Sequence, residues 1–331
     1  MEGTTMRMIL SAIGLTLAGQ AIAAEPVTVA LDWTPNTNHV GLYVAEAQGY
    51  YDDAGLDVTI LPYSDTSAGT LVANGVAGFG VTGPIELITQ RSAGADVKGV
   101  YAIVQHETGR LVFNADRDDI QSPKDLDGMI FAGFGGIWNQ IVSDMIKNDG
   151  GKGEFETVTL GTSSYEALAN GQVDFTLDIE TWEGVAAELE GLEQRAFRYA
   201  DYGVPDQQTT MLVSSDDYLD ANPETARAFL AATLKGFQFA ADHPDEAADI
   251  LIEANPSVLT NADLVHGSMK TLVDGHYLVA EDGTIGTIDA EKFDKLGAYL
   301  MQSGTLIDEN GDTLSEKPDL SAYFTNDSLP E

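Results

Sequence analysis

The sequence predicts an α/β protein made of two lobes of similar build around mostly parallel sheets. Three observations lead there. The chain has 331 residues, enough for two domains of ordinary size. Short apolar runs rich in β-branched residues alternate with stretches of helical periodicity, the pattern of strand–helix units. One heptad also occurs twice: Ala73-Asn-Gly-Val-Ala-Gly-Phe79 resembles Ala169-Asn-Gly-Gln-Val-Asp-Phe175. Each copy follows a helix-like stretch, turns at Asn-Gly and precedes a strand-like stretch. The hydrophobic fraction of 44% allows a sizeable core.

The elements follow in order. Arg7, the apolar run Met8 to Leu17 and the small residues of Ala21-Ile-Ala23 read as an export signal over residues 1–23. Val27 to Leu31 reads as a buried first strand. Asp32 to Thr37 is loop-like, and Val40, Tyr43, Val44 and Ala47 then recur at helical spacing up to Gly49. Val58 to Leu61 is the next strand, Leu71 to Ala73 closes a helix at Gly75, and Phe79 to Val81 is a third strand. Ser122-Pro-Lys-Asp-Leu-Asp-Gly128 is a short helix and turn before the strand Met129 to Ala132. Gly133-Phe-Gly-Gly136 then opens a helix near Ile137. Val158 to Leu160, Phe175 to Leu177 and Phe197 to Tyr199 are further strands, and Met211 to Ser214 returns to the first lobe. Helices start at Asn222-Pro-Glu-Thr225 and at Asp242-His-Pro-Asp-Glu246, and the acidic stretch after Asp308 is loop-like. The expected organisation is therefore lobe 1 over 24–112 and 212–331 and lobe 2 over 113–211, with crossings near 112–116 and 207–212.

Composition excludes several classes. With no cysteine there is no disulfide, thiolate metal site, cysteine nucleophile or lipid anchor on cysteine. The formal net charge of −37 repels nucleic acid and anionic lipid. It fits a cationic or neutral ligand. It also fits a surface adapted to a saline habitat, where salt screens self-repulsion, and that second account is preferred. Beyond the N-terminal signal no segment approaches the length of a membrane span.

In open α/β sheets ligands bind beyond the carboxyl ends of the strands, so the loops there hold the candidates. The first offers Asp32, Trp33, Asn36, Asn38 and His39, and the third offers Thr82, Pro84 and Glu86. The middle of the chain offers Gly133 to Trp138, then Asp178, Glu180, Trp182 and Glu183, and the return segment offers Tyr202 and Gln207. All three tryptophans, Trp33, Trp138 and Trp182, fall in these loops. A flat ring stacked on an indole gains roughly 0.5–1.5 kcal/mol beyond area burial; the alternative is that each indole plugs its own lobe's core. Glu86, Glu180 and Glu183 can accept from an amino-substituted ring or pair with a cation, or remain simply solvated. His39 either contacts ligand or serves the helix start beside it. His106 ends a strand, and His243, His266 and His276 read as surface residues.

Enzyme signatures are sparse. There is no Gly-x-Ser-x-Gly elbow, Walker loop or His-Glu-x-x-His, and the five histidines show no metal spacing. Trp138 occupies the place of the third glycine in a dinucleotide fingerprint, so the glycines at 133–136 read instead as backbone N–H groups near a ligand at a helix start.

The stretch from Leu31 to Ala45, with Gly49-Tyr-Tyr51 and Ala54-Gly-Leu-Asp-Val58, resembles the ABC-importer solute-binding proteins for thiamine pyrimidine precursors, an SsuA/THI5-like family. The resemblance continues through Ser122 to Gly128, Asn170 to Asp174 and Asn222 to Glu224. It implies the type II periplasmic-binding-protein fold, two lobes with a hinge and an interlobe cleft. It implies a formylated or hydroxymethyl aminopyrimidine sandwiched between aromatic rings. Glu180 matches an acidic position of the branch, and Trp33, His39, Trp182 and Tyr202 fall on its cleft segments. Together with the loop candidates, the expected ligand-binding set is Trp33, Asn38, His39, Thr82, Glu86, Trp138, Glu180, Trp182 and Tyr202.

The related pyrimidine synthases use pyridoxal phosphate on a lysine, a histidine donor and a cysteine-rich iron motif. Here Thr82 stands in the lysine's place, Glu86 in the histidine's, and Gly203 to Thr210 in that of the cysteine motif. The expectation is a binder without catalytic residues, cofactor or metal. Its partners would be a small aminopyrimidine-like ligand and an ABC permease at the inner membrane, with no nucleic acid. It would act as a monomer in the periplasm, since an exported chain without a lipid anchor needs an outer membrane to retain it. The alternatives are a pyrimidine synthase-like enzyme, or a binder of a sulfonate, riboflavin or an amine. A sulfonate calls for arginine, and Arg110 is the only arginine near the cleft edge.

Overall fold

A computed structural model describes residues 24–330; the expected export signal lies outside the described residues. The chain first lays down β1 (Glu25–Ala30), α1 (Val40–Ala47), α2 (Tyr50–Asp53), β2 (Leu56–Leu61), α3 (Ala68–Ala73), β3 (Phe79–Thr82), α4 (Pro84–Ser92) and β4 (Lys98–Ala102). It then crosses into β5 (Gly109–Asn114), β6 (Ile130–Gly133), α5 (Ile137–Asn148), β7 (Glu156–Thr159), α6 (Ser163–Ala169), β8 (Phe175–Ile179), α7 (Val185–Leu189) and β9 (Gln194–Arg198). It returns through β10 (Met211–Ser214), α8 (Asp216–Ala221), α9 (Pro223–Asp242), α10 (Pro244–Ala254), α11 (Ala262–Asp274) and α12 (Ala290–Gln302).

Two five-stranded sheets result, ordered β2-β1-β3-β10-β4 and β7-β6-β8-β5-β9. The orders are equivalent position by position. In the first, β1 pairs in parallel with β2 and β3, while β10 runs antiparallel between β3 and β4. In the second, β6 pairs in parallel with β7 and β8, while β5 runs antiparallel between β8 and β9. Each sheet is thus parallel but for one strand, which arrives straight from the other half. The repeated heptad marks the matching positions. Both copies end a helix at a glycine in the left-handed region, Gly75 at φ 68° and Gly171 at φ 66°. The turns close alike: Gly75 N–H to Val72 and Val76 N–H to Leu71, against Gly171 N–H to Leu168 and Gln172 N–H to Ala167. This double bond satisfies the last helical carbonyls. The strands that follow, β3 and β8, hold the same place in their sheets.

One expectation needs correcting. A boundary between residues 112 and 113 would cut β5, whose residues from Gly109 onward pair with β8 and β9. The first crossing therefore lies between Ala102 and Gly109, and the second precedes β10.

Both faces of each sheet are covered, as sheets with parallel strands require. On the first sheet, Val29, Phe79 and Leu212 pack under α1, α9, α10 and α11, and Ala30, Met211 and Val213 pack under α3, α4 and α12. A Cβ on Gly236 of α9 would meet the Gly41 carbonyl of α1 at 2.0 Å, so these helices pack backbone to backbone. On the second sheet Leu111, Phe131 and Phe175 pack under α5, and Ala132 and Val112 pack under α6. Among the described residues no helix is long and apolar enough to cross a membrane.

Candidate functional site

The loops after β1, β3, β6 and β8 open on one cleft of about 730 Å³ between the two sheets, within the range of small-molecule sites. Residues of both halves and of both crossings line it.

The loop after β1 is held from behind. Asn36 Oδ1 accepts from Asn38 N–H at 2.9 Å, and Asn36 N–H donates to His39 Nδ1 at 3.2 Å. His39 Nδ1 is therefore an acceptor, so Nε2 carries the proton and donates to Asp32 Oδ1 at 2.8 Å. His39 is 0% exposed and does not reach the cleft. It is a strut, contrary to its expected place among ligand contacts. What it supports does face the cleft: Asp32, Trp33 and Asn38. Trp33 is 43% exposed and leans on Tyr63, with ring centroids 5.1 Å apart at 48°.

After β3, Thr82 is buried and absent from the lining. Its Oγ1 donates to Glu86 Oε2 at 3.0 Å, while Gln90 Nε2 donates to Oε1 at 2.9 Å. Thr82 thus aims Glu86, which does line the cleft. After β6, Gly135 and Gly136 take φ of 79° and 61°. They swing the chain into α5 and present Phe134 and Trp138 to the cleft, while the glycines themselves stay out of it.

At the end of β8 the chain enters a π-helical turn, Glu180–Gly184, a device common at functional sites. Along a strand Asp178 and Glu180 would share a face. The turn rotates Glu180 away and brings Trp182 and Glu183 in beside Asp178. Glu180 instead accepts from Arg198 Nη2 at 2.6 Å and from the Tyr277 hydroxyl at 2.7 Å. Burial alone would raise its carboxyl; the Tyr277 hydroxyl and the guanidinium groups of Arg198 and Arg110 together hold it below the usual range. It joins the second half to the first and lies outside the cleft. Tyr202 also lies outside, packed edge-on against Phe197 at 5.7 Å.

The crossings form the floor. Gln208 Nε2 donates to Gln105 Oε1 at 2.9 Å, and Asp206 accepts from Glu107 N–H at 2.9 Å and pairs with Lys292 at 2.6 Å. Glu107 and Gln207, joined by a hydrogen bond between their side chains, line the cleft. Burial pushes the Glu107 carboxyl up against the pull of its neutral donors.

The cleft therefore combines the rings of Trp33, Trp138, Trp182 and Tyr165 with the carboxyl groups of Asp32, Glu86, Glu107, Asp178 and Glu183. No lysine, arginine or histidine is among its lining residues. It offers stacking surfaces and acceptors, and suits a flat ligand bearing N–H donors. Sequence reasoning passed over Glu107 and Tyr165. Glu107 carried only the weak signal of following a strand, and Tyr165 sits on a helix whose orientation no pattern revealed.

Two α/β halves of matching strand order, each with one antiparallel strand entered directly from a crossing, and enclosing a polar–aromatic cleft, define the periplasmic-binding-protein fold. The chain belongs to the NMT1/THI5 like family, whose model matches residues 36–247. It is 30% identical over 304 residues to the formylaminopyrimidine-binding protein of Halalkalibacterium halodurans, covering 88% of this chain and 90% of that one. It is 25% identical over 258 residues to the 4-amino-5-hydroxymethyl-2-methylpyrimidine phosphate synthase THI13 of Saccharomyces cerevisiae, covering 73% and 74%. Among solved structures, the alkanesulfonate-binding protein SsuA from Xanthomonas axonopodis pv. citri aligns with a TM-score of 0.67 at 14% identity, covering 92% and 99%. At that identity the likeness speaks for the fold alone, and it bears out the fold expected from the sequence.

Proposed function

We propose that this chain is the periplasmic solute-binding component of an ABC importer and captures an aminopyrimidine of the thiamine-precursor type. The carrying observation is the cleft itself: three indoles for stacking, an acidic lining that includes Glu183 without a cationic partner among the described residues, and no basic side chain. The similarity to a formylaminopyrimidine-binding protein supports the same ligand class. The binder acts without a cofactor and breaks no bond; closure of the halves about the crossings buries the ligand and presents a closed face to the permease. It works as a monomer.

The residues of the cleft weigh against the other readings. A synthase-type pyridoxal cofactor needs a lysine to hold it, and no lysine or histidine lines the cleft. A sulfonate needs a cationic partner, and Arg110 is bound to Asp178 by hydrogen bonds of 3.0 and 2.6 Å. Native mass spectrometry for co-purified ligand, followed by thermal shifts with pyrimidines, flavins and sulfonates, tests the assignment. A pyrimidine at about a hundred times its dissociation constant should stabilise by roughly 2.7 kcal/mol. A shift with sulfonates or flavins and none with pyrimidines overturns the ligand class.

A further inference from the structure

Most carboxylates at the meeting of the halves have a committed partner. Asp178 holds Arg110, Glu180 holds Arg198, and Asp206 holds Lys292. Among the described residues Glu107 has no cationic partner, and it is filled by neutral donors, the Gln207 amide and the Gly109 N–H. Glu183 differs from all of these. It lines the cleft, and its hydrogen bonds come from its own turn, the Ile179 N–H at 3.3 Å and its own N–H. Among the described residues no cation pairs with it.

Its surroundings supply none. From β8 it faces Asp178. From α6 it faces Tyr165, whose hydroxyl makes no hydrogen bond among the described residues. Arg110, from β5, lies under the turn, 2.5 Å from where a Cβ on Gly184 would be, but Asp178 occupies it. On α11, packed against the same turn, Ser268 bonds Thr37 at 2.6 Å, and His266 is turned to Asp245 and Asp249. Burial, opposed by the two backbone N–H groups and reinforced by the charge on Asp178, pushes the Glu183 carboxyl up to about 7.

We propose that Glu183 reads the amino-substituted edge of the ligand ring, sharing one proton with a ring nitrogen while its second oxygen accepts from the exocyclic amine. This inference rests on the aminopyrimidine reading above. It makes Glu183 a specificity-determining residue, because the paired donor and acceptor fit an amidine-like edge and no sulfonate or flat hydrocarbon. The complex holds one proton across the contact. Above the carboxyl's own titration the free protein lacks that proton and must take it from solvent. Below the ring nitrogen's titration both partners carry protons, and two donors face each other. Affinity therefore peaks between the two and falls on either side.

The test is calorimetric titration of the purified protein with formylaminopyrimidine from about pH 5.5 to about pH 9, in two buffers of different ionisation heat. The wild-type protein should take up close to one proton per ligand at the alkaline end, with Kd rising by up to about tenfold per pH unit there. Glu183→Gln should weaken binding more than tenfold near neutrality (about 1.4 kcal/mol or more) and flatten the alkaline limb. It should fold as well as the wild type, since it removes a half-buried acid without a cationic partner among the described residues; its melting temperature checks this. Wild-type binding without proton uptake overturns the inference by itself, whatever the variant does. A variant that binds with unchanged Kd and pH slope also overturns it and leaves the aminopyrimidine reading standing. Failure of the wild-type protein to bind any aminopyrimidine overturns both.

Discussion

Replacing Glu180 with glutamine asks whether this residue grips the ligand or clasps the two halves. Its Oε1 takes Arg198 Nη2 at 2.6 Å and stands 3.6 Å from Arg110 Nη1. Its Oε2 accepts the Tyr277 hydroxyl at 2.7 Å. Arg198 is 47% exposed, so solvent screening reduces that ion pair to about 0.5 kcal/mol. The tyrosine bond to a charged acceptor adds about 1–1.5 kcal/mol. Glutamine keeps the shape and can still accept one of these bonds, so the variant should lose about 1–2 kcal/mol of unfolding free energy. Because Tyr277 and the arginines hold this carboxyl below its ordinary value of 4.5, the stabilisation is fully present above that pH. It is lost as pH falls through the lower folded value, and the deficit of the variant should shrink in the same window. Ligand affinity should change by less than about threefold, or roughly 0.6 kcal/mol. Urea unfolding at two pH values and calorimetric titration at neutral pH measure both quantities. A Kd raised tenfold or more with unfolding unchanged would refute the clasp and return Glu180 to the ligand.

The other predictions separate ligand contacts from their supports. Trp33→Ala removes a ring of which 43% is exposed; covering half of that open area is worth about 1.2 kcal/mol, and stacking adds roughly 0.5–1.5 kcal/mol. Affinity should fall about thirtyfold with stability nearly unchanged, and equal binding by the variant removes Trp33 from the site. His39→Ala leaves Asp32 and the Asn36 N–H without their buried partner and should cost about 2–3 kcal/mol in urea unfolding; weakened binding at full stability would make His39 a contact after all. Gly75→Ala and Gly171→Ala place a Cβ at matching left-handed turns with nothing within 4 Å, so each should cost about 1–2 kcal/mol from backbone strain alone. Unequal costs would show that the two turns are not physically equivalent.

How much of this could be read in the sequence varied with the physics of each segment. Strands bounded by Asn-Gly or Gly-rich turns, such as Phe79–Thr82 and Phe175–Ile179, were legible because the punctuation and the apolar run agreed. Gly109–Asn114 was not. The segment before it, Ile-Val-Gln-His-Glu-Thr at 103–108, begins with the same apolar character as the strand preceding it. It carries no proline or glycine, so nothing marked the crossing. Trp33, Trp138 and Trp182 line the cleft because each follows a strand end, and strand ends can be located from pattern. Direction of a side chain beyond the strand end was the weak link. Its place beyond a strand end and its match to an acidic position of the family put Glu180 in the cleft, and a single π-helical turn carries it away. His39 turned inward because Asp32 and Asn36 offered it complementary partners, a three-body arrangement invisible to periodicity.

The antiparallel strand in each sheet has a consequence for how the protein is made. The second sheet is drawn from one unbroken stretch, β5 to β9, and can close as soon as that stretch is available. The first cannot. Its β10 lies between β3 and β4 but begins only at Met211, whereas β5 begins at Gly109, so β4 has no neighbouring strand to pair with until the other half has passed. A chain emerging from its N-terminus holds half of a sheet open throughout, with the apolar faces of Phe79 and Tyr101 uncovered. Such late, long-range pairing is slow and prone to aggregation. The late return of β10 to the first sheet thus makes the earliest segment of the chain the last to be finished.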